Sequence, residues 1–174
     1  MAETHEVSNQ PVPQGDINLW AGDLPLREAV ERCGGASHEQ ALSAFGGRLG
    51  LAEIREKGRL ANRYPPELNA FDRGGRRIDE VCFHPSYHDL MELGVAAGYS
   101  AVGWECAGEG GHVAHAAMVY LMSQVEPGVC CPMTMTYAAV PALRADPALD
   151  LAWRPRLLSR AYDHSNQPAA QKTG

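Results

Sequence analysis

Lysine is nearly absent from this chain of 174 residues, with Lys57 and Lys172 the only two. The other cations are arginines scattered among acids, and the formal net charge is −6. Concentrated basic surface of the kind that phosphate backbones require is therefore lacking, and DNA binding is not expected through this segment. Long hydrophobic runs are missing too. The longest, within residues 113–122, contains His115 and is about half of the ~20 residues a bilayer span needs. The opening MAETHE has neither a basic n-region nor an apolar h-region, so no secretory signal is read and a cytoplasmic location is expected. The 5 cysteines, Cys33, Cys82, Cys106, Cys130 and Cys131, include no CxxC spacing, which suits reduced thiols better than a disulfide framework. Adjacent Cys130 and Cys131 would close a strained ring and have no nearby cation to stabilise a thiolate. The glycine-rich segments near Gly34, Gly46 and Gly108 match neither GxGxxG nor GxxxxGK, so phosphate-loop chemistry has no support.

What is present is a 45% hydrophobic composition, enough for one domain with a core of its own. Residues 1–22 carry Pro11, Pro13, Gly15 and Gly22 and read as an extended arm, anchored where Trp20 packs on the helical body or on a neighbouring subunit. Helical periodicity follows. Leu26, Ala29, Val30 and Cys33 share a stripe that Gly34-Gly35 ends, and Ser37 with Gln40 reads as a capping box ahead of Leu42 and Phe45. Leu51, Ile54, Gly58 and Ala61 form a third stripe, in which Gly58 allows a neighbour to approach closely. The mixed-charge segment 72–76 is a solvated turn into a short extended stretch over residues 78–83. Pro85 opens a helix with Tyr87, Leu90, Met91 and Gly94 inward, closed by Gly98. A glycine-rich loop over residues 103–111 leads to an apolar helix near residues 112–125, with Val113, Ala116, Ala117, Tyr120, Leu121 and Gln124 as its inward stripe and an apolar opposite face. A helix near residues 133–144 should kink or end at Pro141, and Asp146-Pro147 starts a last helix that breaks at Pro155. The expectation is an all-α domain of about six or seven helices.

Two clusters have metal-like spacing. His84 and His88 stand four apart, and Glu109 with His112 makes a Glu-x-x-His. The first lacks a third ligand and the second lacks its repeat, so His84 reads as the residue before a helix-opening proline and Glu109 as a loop residue. No metal site and no catalytic residue is assigned. Residues 124–144, QVEPGVCCPMTMTYAAVPALR, have more to offer: Thr134, Thr136 and Tyr137 interrupt an apolar helix surface. The residues support two readings, a pocket wall with spaced polar groups, or threonines bonded to preceding helical carbonyls beside a core tyrosine.

That stretch, with THEVSNQ at residues 4–10, GRLANRYPPEL at 58–68, RIDEVCFHPSYHDLM at 77–91 and RPRLLSRAYD at 154–163, resembles the adaptive-response (alkylation-resistance) flavoproteins of the AidB group, within the acyl-CoA dehydrogenase superfamily. The resemblance runs in order through nearly the whole chain. It implies an N-terminal helical domain over residues 23–163 after the arm, with residues 164–174 a tail or the start of a linker to a flavin-binding β domain. It implies FAD in a longer parent, held by contacts downstream of this segment and not retained by this segment alone. It also implies an acyl thioester ligand, homo-oligomeric partners, and Thr134, Tyr137, Ala138 and Pro141 facing the cavity where acyl chain meets flavin. The alternative is a stand-alone helical module that acts only through protein contacts.

Overall fold

The computed structural model describes residue 6 and residues 8–172. Residues 1–5 and 7 of the expected arm, and residues 173–174 of the expected tail, lie outside the described residues. The body is helical: α1 Leu24–Arg32, α2 Glu39–Leu49, α3 Ala52–Arg63, α4 Pro85–Ala97, α5 Val102–Glu105, α6 Gly111–Ser123, α7 Cys130–Leu143 and α8 Pro147–Leu157. Only α5 is a single turn; the other seven agree with the all-α expectation. The departure is a small antiparallel hairpin between α3 and α4, β1 Glu67–Phe71 and β2 Arg77–Cys82, with Leu68 opposite Val81.

Local chemistry places most boundaries where the sequence puts them. Asp23 Oδ1 accepts from Leu26 N at 2.9 Å with Pro25 in the first turn of α1. His84 caps α4 by accepting from Ser86 N, and Gly98 ends it at φ 86°, a left-handed conformation that favours glycine. Asp146 caps α8 by accepting from Ala148 N and Leu149 N. The arm is tied to α2 by Ile17 N donating to Gly50 O and Leu19 N donating to Gly46 O. This buries Trp20 to 3% exposure against Gly46, where any Cβ would lie 2.6 Å from Trp20 N.

Helix α6 packs against α1, α2, α5 and α7 and is the middle of the bundle. Its buried face is Ala114, His115, Ala117, Met118, Leu121 and Met122, not the expected stripe, since Ala116, Tyr120 and Gln124 are exposed. An almost uniformly apolar helix has no strong preference of face, so close packing of its alanines and a partner for His115 decide the rotation. Leu49, Leu90, Tyr99 and Val129 complete the core around it.

Four boundary expectations are corrected. Ser37 does not form a capping box; it lies in a 3-10 turn, and its hydroxyl donates to Glu109 O across the fold at 3.1 Å. β1 was not anticipated, although Asp72 Oδ1, accepting from Gly74 N and Arg76 N, builds the turn that joins it to β2. α7 begins at Cys130 and runs through Pro141 to Leu143, and α8 continues through Pro155 to Leu157. A proline inside a helix crowds the carbonyl four residues back and leaves it without its helical donor, and the helix is disturbed least where another donor or water takes that carbonyl. Leu151, whose carbonyl lies behind Pro155, is 81% exposed. The carbonyl behind Pro141 has a protein donor.

Candidate functional site: the outer face of helix α7

The four residues expected at a cavity wall separate into two kinds. Thr134 and Tyr137 turn their polar atoms toward the body. The Thr134 hydroxyl lies 3.2 Å from the phenol oxygen of Tyr99, which is fully buried. The Tyr137 phenol lies 2.8 Å from His112 Nδ1. Its ring stacks on His115, with centroids 3.8 Å apart and planes 6° apart, and packs on Trp104 at 4.9 Å. Thr136 donates to Pro132 O, the back-bond that a mid-helix threonine commonly makes. Ala138 and Pro141, in contrast, are exposed, as is Met135. With the hydroxyls of Thr134, Thr136 and Tyr137 already bonded, the outer face of α7 offers small apolar side chains and one flexible thioether.

The cluster under this face is polar but internally satisfied. His115, 7% exposed, sits with Nδ1 2.7 Å from Tyr99 O. A carbonyl only accepts, so Nδ1 carries the hydrogen. Burial lowers the His115 pKa, and it remains a neutral imidazole near neutral pH. Burial also pushes the Tyr99 phenol well above its ordinary value, which keeps it a hydroxyl beside Thr134. The Trp104 indole N–H donates to Tyr137 O at 2.9 Å, and the Arg144 guanidinium lies 5.1 Å from the centre of that ring. These groups hold α7 in place and leave Met135, Ala138 and Pro141 exposed on its outer surface.

The histidines of metal-like spacing are used otherwise. His84 caps α4, and His88 Nδ1 lies 2.8 Å from the Tyr162 phenol. Glu109 lies in a turn before α6, where its backbone carbonyl binds Ser37 and His38. Among the described residues no group of three or more His, Cys, Asp or Glu is arranged to hold a metal ion. Cys130 is buried and Cys131 exposed at the start of α7. Among the described residues no helix is long and apolar enough to cross a membrane.

Sequence reasoning missed Tyr99 and Trp104. The signal for a donor near Tyr137 was present, because Pro141 has no N–H for the carbonyl four residues before it. Which side chain would supply it was not readable, since Trp104 lay in a stretch taken for a glycine-rich loop.

Residues 9–164 match the Adaptive response protein AidB N-terminal domain. The chain belongs to this family. It is 45% identical over 174 residues to the "Putative acyl-CoA dehydrogenase AidB" of Escherichia coli (strain K12), covering 99% of this chain and 32% of the relative. It is 30% identical over 124 residues to Acyl-CoA dehydrogenase family member 11 of Caenorhabditis elegans, covering 70% of this chain and 19% of that protein. Two solved structures share the fold. Caenorhabditis elegans ACDH-11 in complex with C11-CoA superimposes with a TM-score of 0.71 at 24% identity, covering 91% of this chain and 29% of that one. The apo-form of Bd2924 gives 0.72 at 25% identity, covering 87% and 32%. The chain thus spans about a third or less of the length of these relatives, and it matches the N-terminal domain of an acyl-CoA dehydrogenase-like protein.

The acyl-CoA dehydrogenase family implies FAD. The α7 face does not by itself fit that group: its hydroxyls are already bonded within the protein, and Ala138, Pro141 and Met135 offer no donor for a pyrophosphate or for ring carbonyls.

Proposed function

We propose that this chain is the helical wall of the acyl and flavin cavity in an FAD-dependent, acyl-CoA dehydrogenase-like protein of the alkylation-damage adaptive response, acting in the cytoplasm. The observation that carries the reading is the outer face of α7, where Ala138 and Pro141 are exposed while the neighbouring hydroxyls are already bonded, Thr134 and Tyr137 to other elements and Thr136 to its own helix. Small apolar surface on a helix that is rigidly held from behind suits an acyl chain, which needs shape and dryness more than hydrogen bonds. The kinship at 45% identity to a protein named for acyl-CoA dehydrogenation supports the same ligand class. FAD, the catalytic base and much of the subunit contact belong to the rest of the protein, and no residue of this chain is assigned a proton-transfer role.

The alternative, a stand-alone interaction module, calls for polar surface where a partner domain would otherwise lean. Exposed Leu68 (64%), Phe71 (62%), Met135 (66%) and Leu151 (81%) favour the wall reading. Two measurements test it. Dialysed against FAD, the 174-residue chain should stay colourless, and a stoichiometric yellow complex would refute the division of labour proposed here. In the FAD-bound parent, Ala138→Leu should weaken the spectral response of the flavin to octanoyl-CoA; an unchanged titration would remove α7 from the cavity.

A further inference from the structure

We infer that Trp104 is a positioning residue, whose indole N–H takes the carbonyl that Pro141 leaves without a helical donor and so fixes the face α7 turns toward an acyl chain; this rests on the wall reading above. In a continuous helix the carbonyl of Tyr137 would accept from the N–H of residue 141. Proline has no such hydrogen, and its ring presses on that same carbonyl. An unsatisfied carbonyl inside a protein costs as much as a lost hydrogen bond, so the usual outcome is a kink or an end. Here α7 runs on to Leu143 because Trp104 Nε1 donates to Tyr137 O at 2.9 Å.

The indole is well held for this task. Its ring packs on Tyr137 at 4.9 Å, meets His112 edge-on at 4.7 Å, and lies under the Arg144 guanidinium at 5.1 Å. Gly103 makes the approach possible: a Cβ there would lie 2.8 Å from both Tyr137 Cε2 and His112 Nδ1. The preceding glycine therefore lets α5 come close enough for its tryptophan to reach the helix backbone. Pro141 is exposed on the outer face, and Tyr137 is anchored on the inner one. The Trp104 bond joins the two at the one backbone position where α7 would otherwise be free to bend, and a bend there would swing Pro141 and the last turn relative to Ala138.

The test is a double-mutant cycle in the 174-residue chain. Trp104→Phe keeps an aromatic ring in place and deletes the donor. Pro141→Ala restores an N–H to the helix and makes the indole bond redundant. Trp104→Phe should raise hydrogen exchange of the α7 amides after Tyr137 by about fivefold, the worth of one net hydrogen bond. In the Pro141→Ala background the same substitution should change exchange by less than about twofold. A merely packed tryptophan would act equally in both backgrounds, and that result, or no change in either, overturns the inference. In the FAD-bound parent, Trp104→Phe should shift the octanoyl-CoA dependence of the flavin spectrum by a similar factor. If the exchange cycle shows the coupling while octanoyl-CoA leaves the wild-type spectrum unperturbed, the backbone role of Trp104 stands, and it is the wall reading, together with the ligand-facing half of the inference, that falls.

Discussion

Tyr137 and Ala138 are neighbours on one helix, yet the structure predicts opposite consequences for altering them. Tyr137 stacks on His115 at 3.8 Å, packs on Trp104 at 4.9 Å and bonds His112 through its hydroxyl. Aromatic pairs of this kind contribute about 0.5–1.5 kcal/mol each beyond area burial. Truncating a fully buried aromatic ring costs about 3–5 kcal/mol. Tyr137 is only half-buried, so Tyr137→Ala should cost about 2–3 kcal/mol, below the range for a fully buried ring. Tyr137→Phe keeps both ring contacts and loses one hydrogen bond at a solvent-reachable site, about 0.5–1 kcal/mol. Ala138 is exposed, and Ala138→Leu should lie within about 0.5 kcal/mol of wild type. Urea unfolding of the 174-residue chain followed by circular dichroism gives all three values. Octanoyl-CoA titration of the FAD-bound parent gives the other half, in which Ala138→Leu should weaken the response more than Tyr137→Phe. If Tyr137→Ala leaves the urea midpoint unmoved, the inner anchoring is wrong. If Ala138→Leu unfolds the chain by more than about 2 kcal/mol, the face is a packed surface and not a cavity wall.

Three other outcomes follow from particular contacts. Burial lowers the His115 pKa, so the folded state resists protonation that the unfolded chain accepts below about 6.5; stability should be full above that pH and fall as pH drops through it, by at most about 1.4 kcal/mol at pH 5.5, and a His115→Gln variant should lose that part of the slope in urea midpoints taken from pH 7.5 to 5.5. Gly58→Ala should destabilise by about 1–3 kcal/mol despite the better helix propensity of alanine, because the new Cβ would meet Val125 O at 2.4 Å; a higher melting temperature would contradict the packing of α3 on the end of α6. The exposed Leu68, Phe71, Met135 and Leu151 should make the isolated chain bind a hydrophobic dye or self-associate near neutral pH, with a monodisperse, dye-free monomer in light scattering favouring the stand-alone module.

The parts of the fold that were legible in the sequence are those set by neighbours along the chain. Pro85 and Asp146-Pro147 were read as helix starts, and each starts a helix in the structure, where His84 or Asp146 supplies the acceptor and the proline a preset φ within one turn. Gly98 closes α4 for an equally local reason. Gly58 was read as a point of close approach, and Val125 O is what approaches it. Where the sequence reading went astray, the deciding partner is distant in sequence. Ser37 could cap α2 with its own residues, but Glu109 O is 72 positions away and within reach. The buried face of α6 followed His115, whose acceptor is the carbonyl of Tyr99 on the loop after α4.

Pro141 shows the same limit from the other side, and it bears on the site itself. Its local rule, that a proline interior to a helix ends or kinks it, is sound as a statement about the carbonyl of Tyr137. What the rule omits is that the missing donor can come from elsewhere, and in this chain Trp104 stands 33 positions before the carbonyl it satisfies. The pocket-wall and core readings of residues 134–141 were posed as alternatives because a one-dimensional pattern assigns a residue one environment. A helix lying between a packed cluster and an open surface has two. Thr134 and Tyr137 bond inward to Tyr99 and His112, and Ala138 and Pro141 face out. The inward bonds hold the outward face in one position, so the core-like chemistry of the tyrosine is what would let the proposed apolar wall keep a shape.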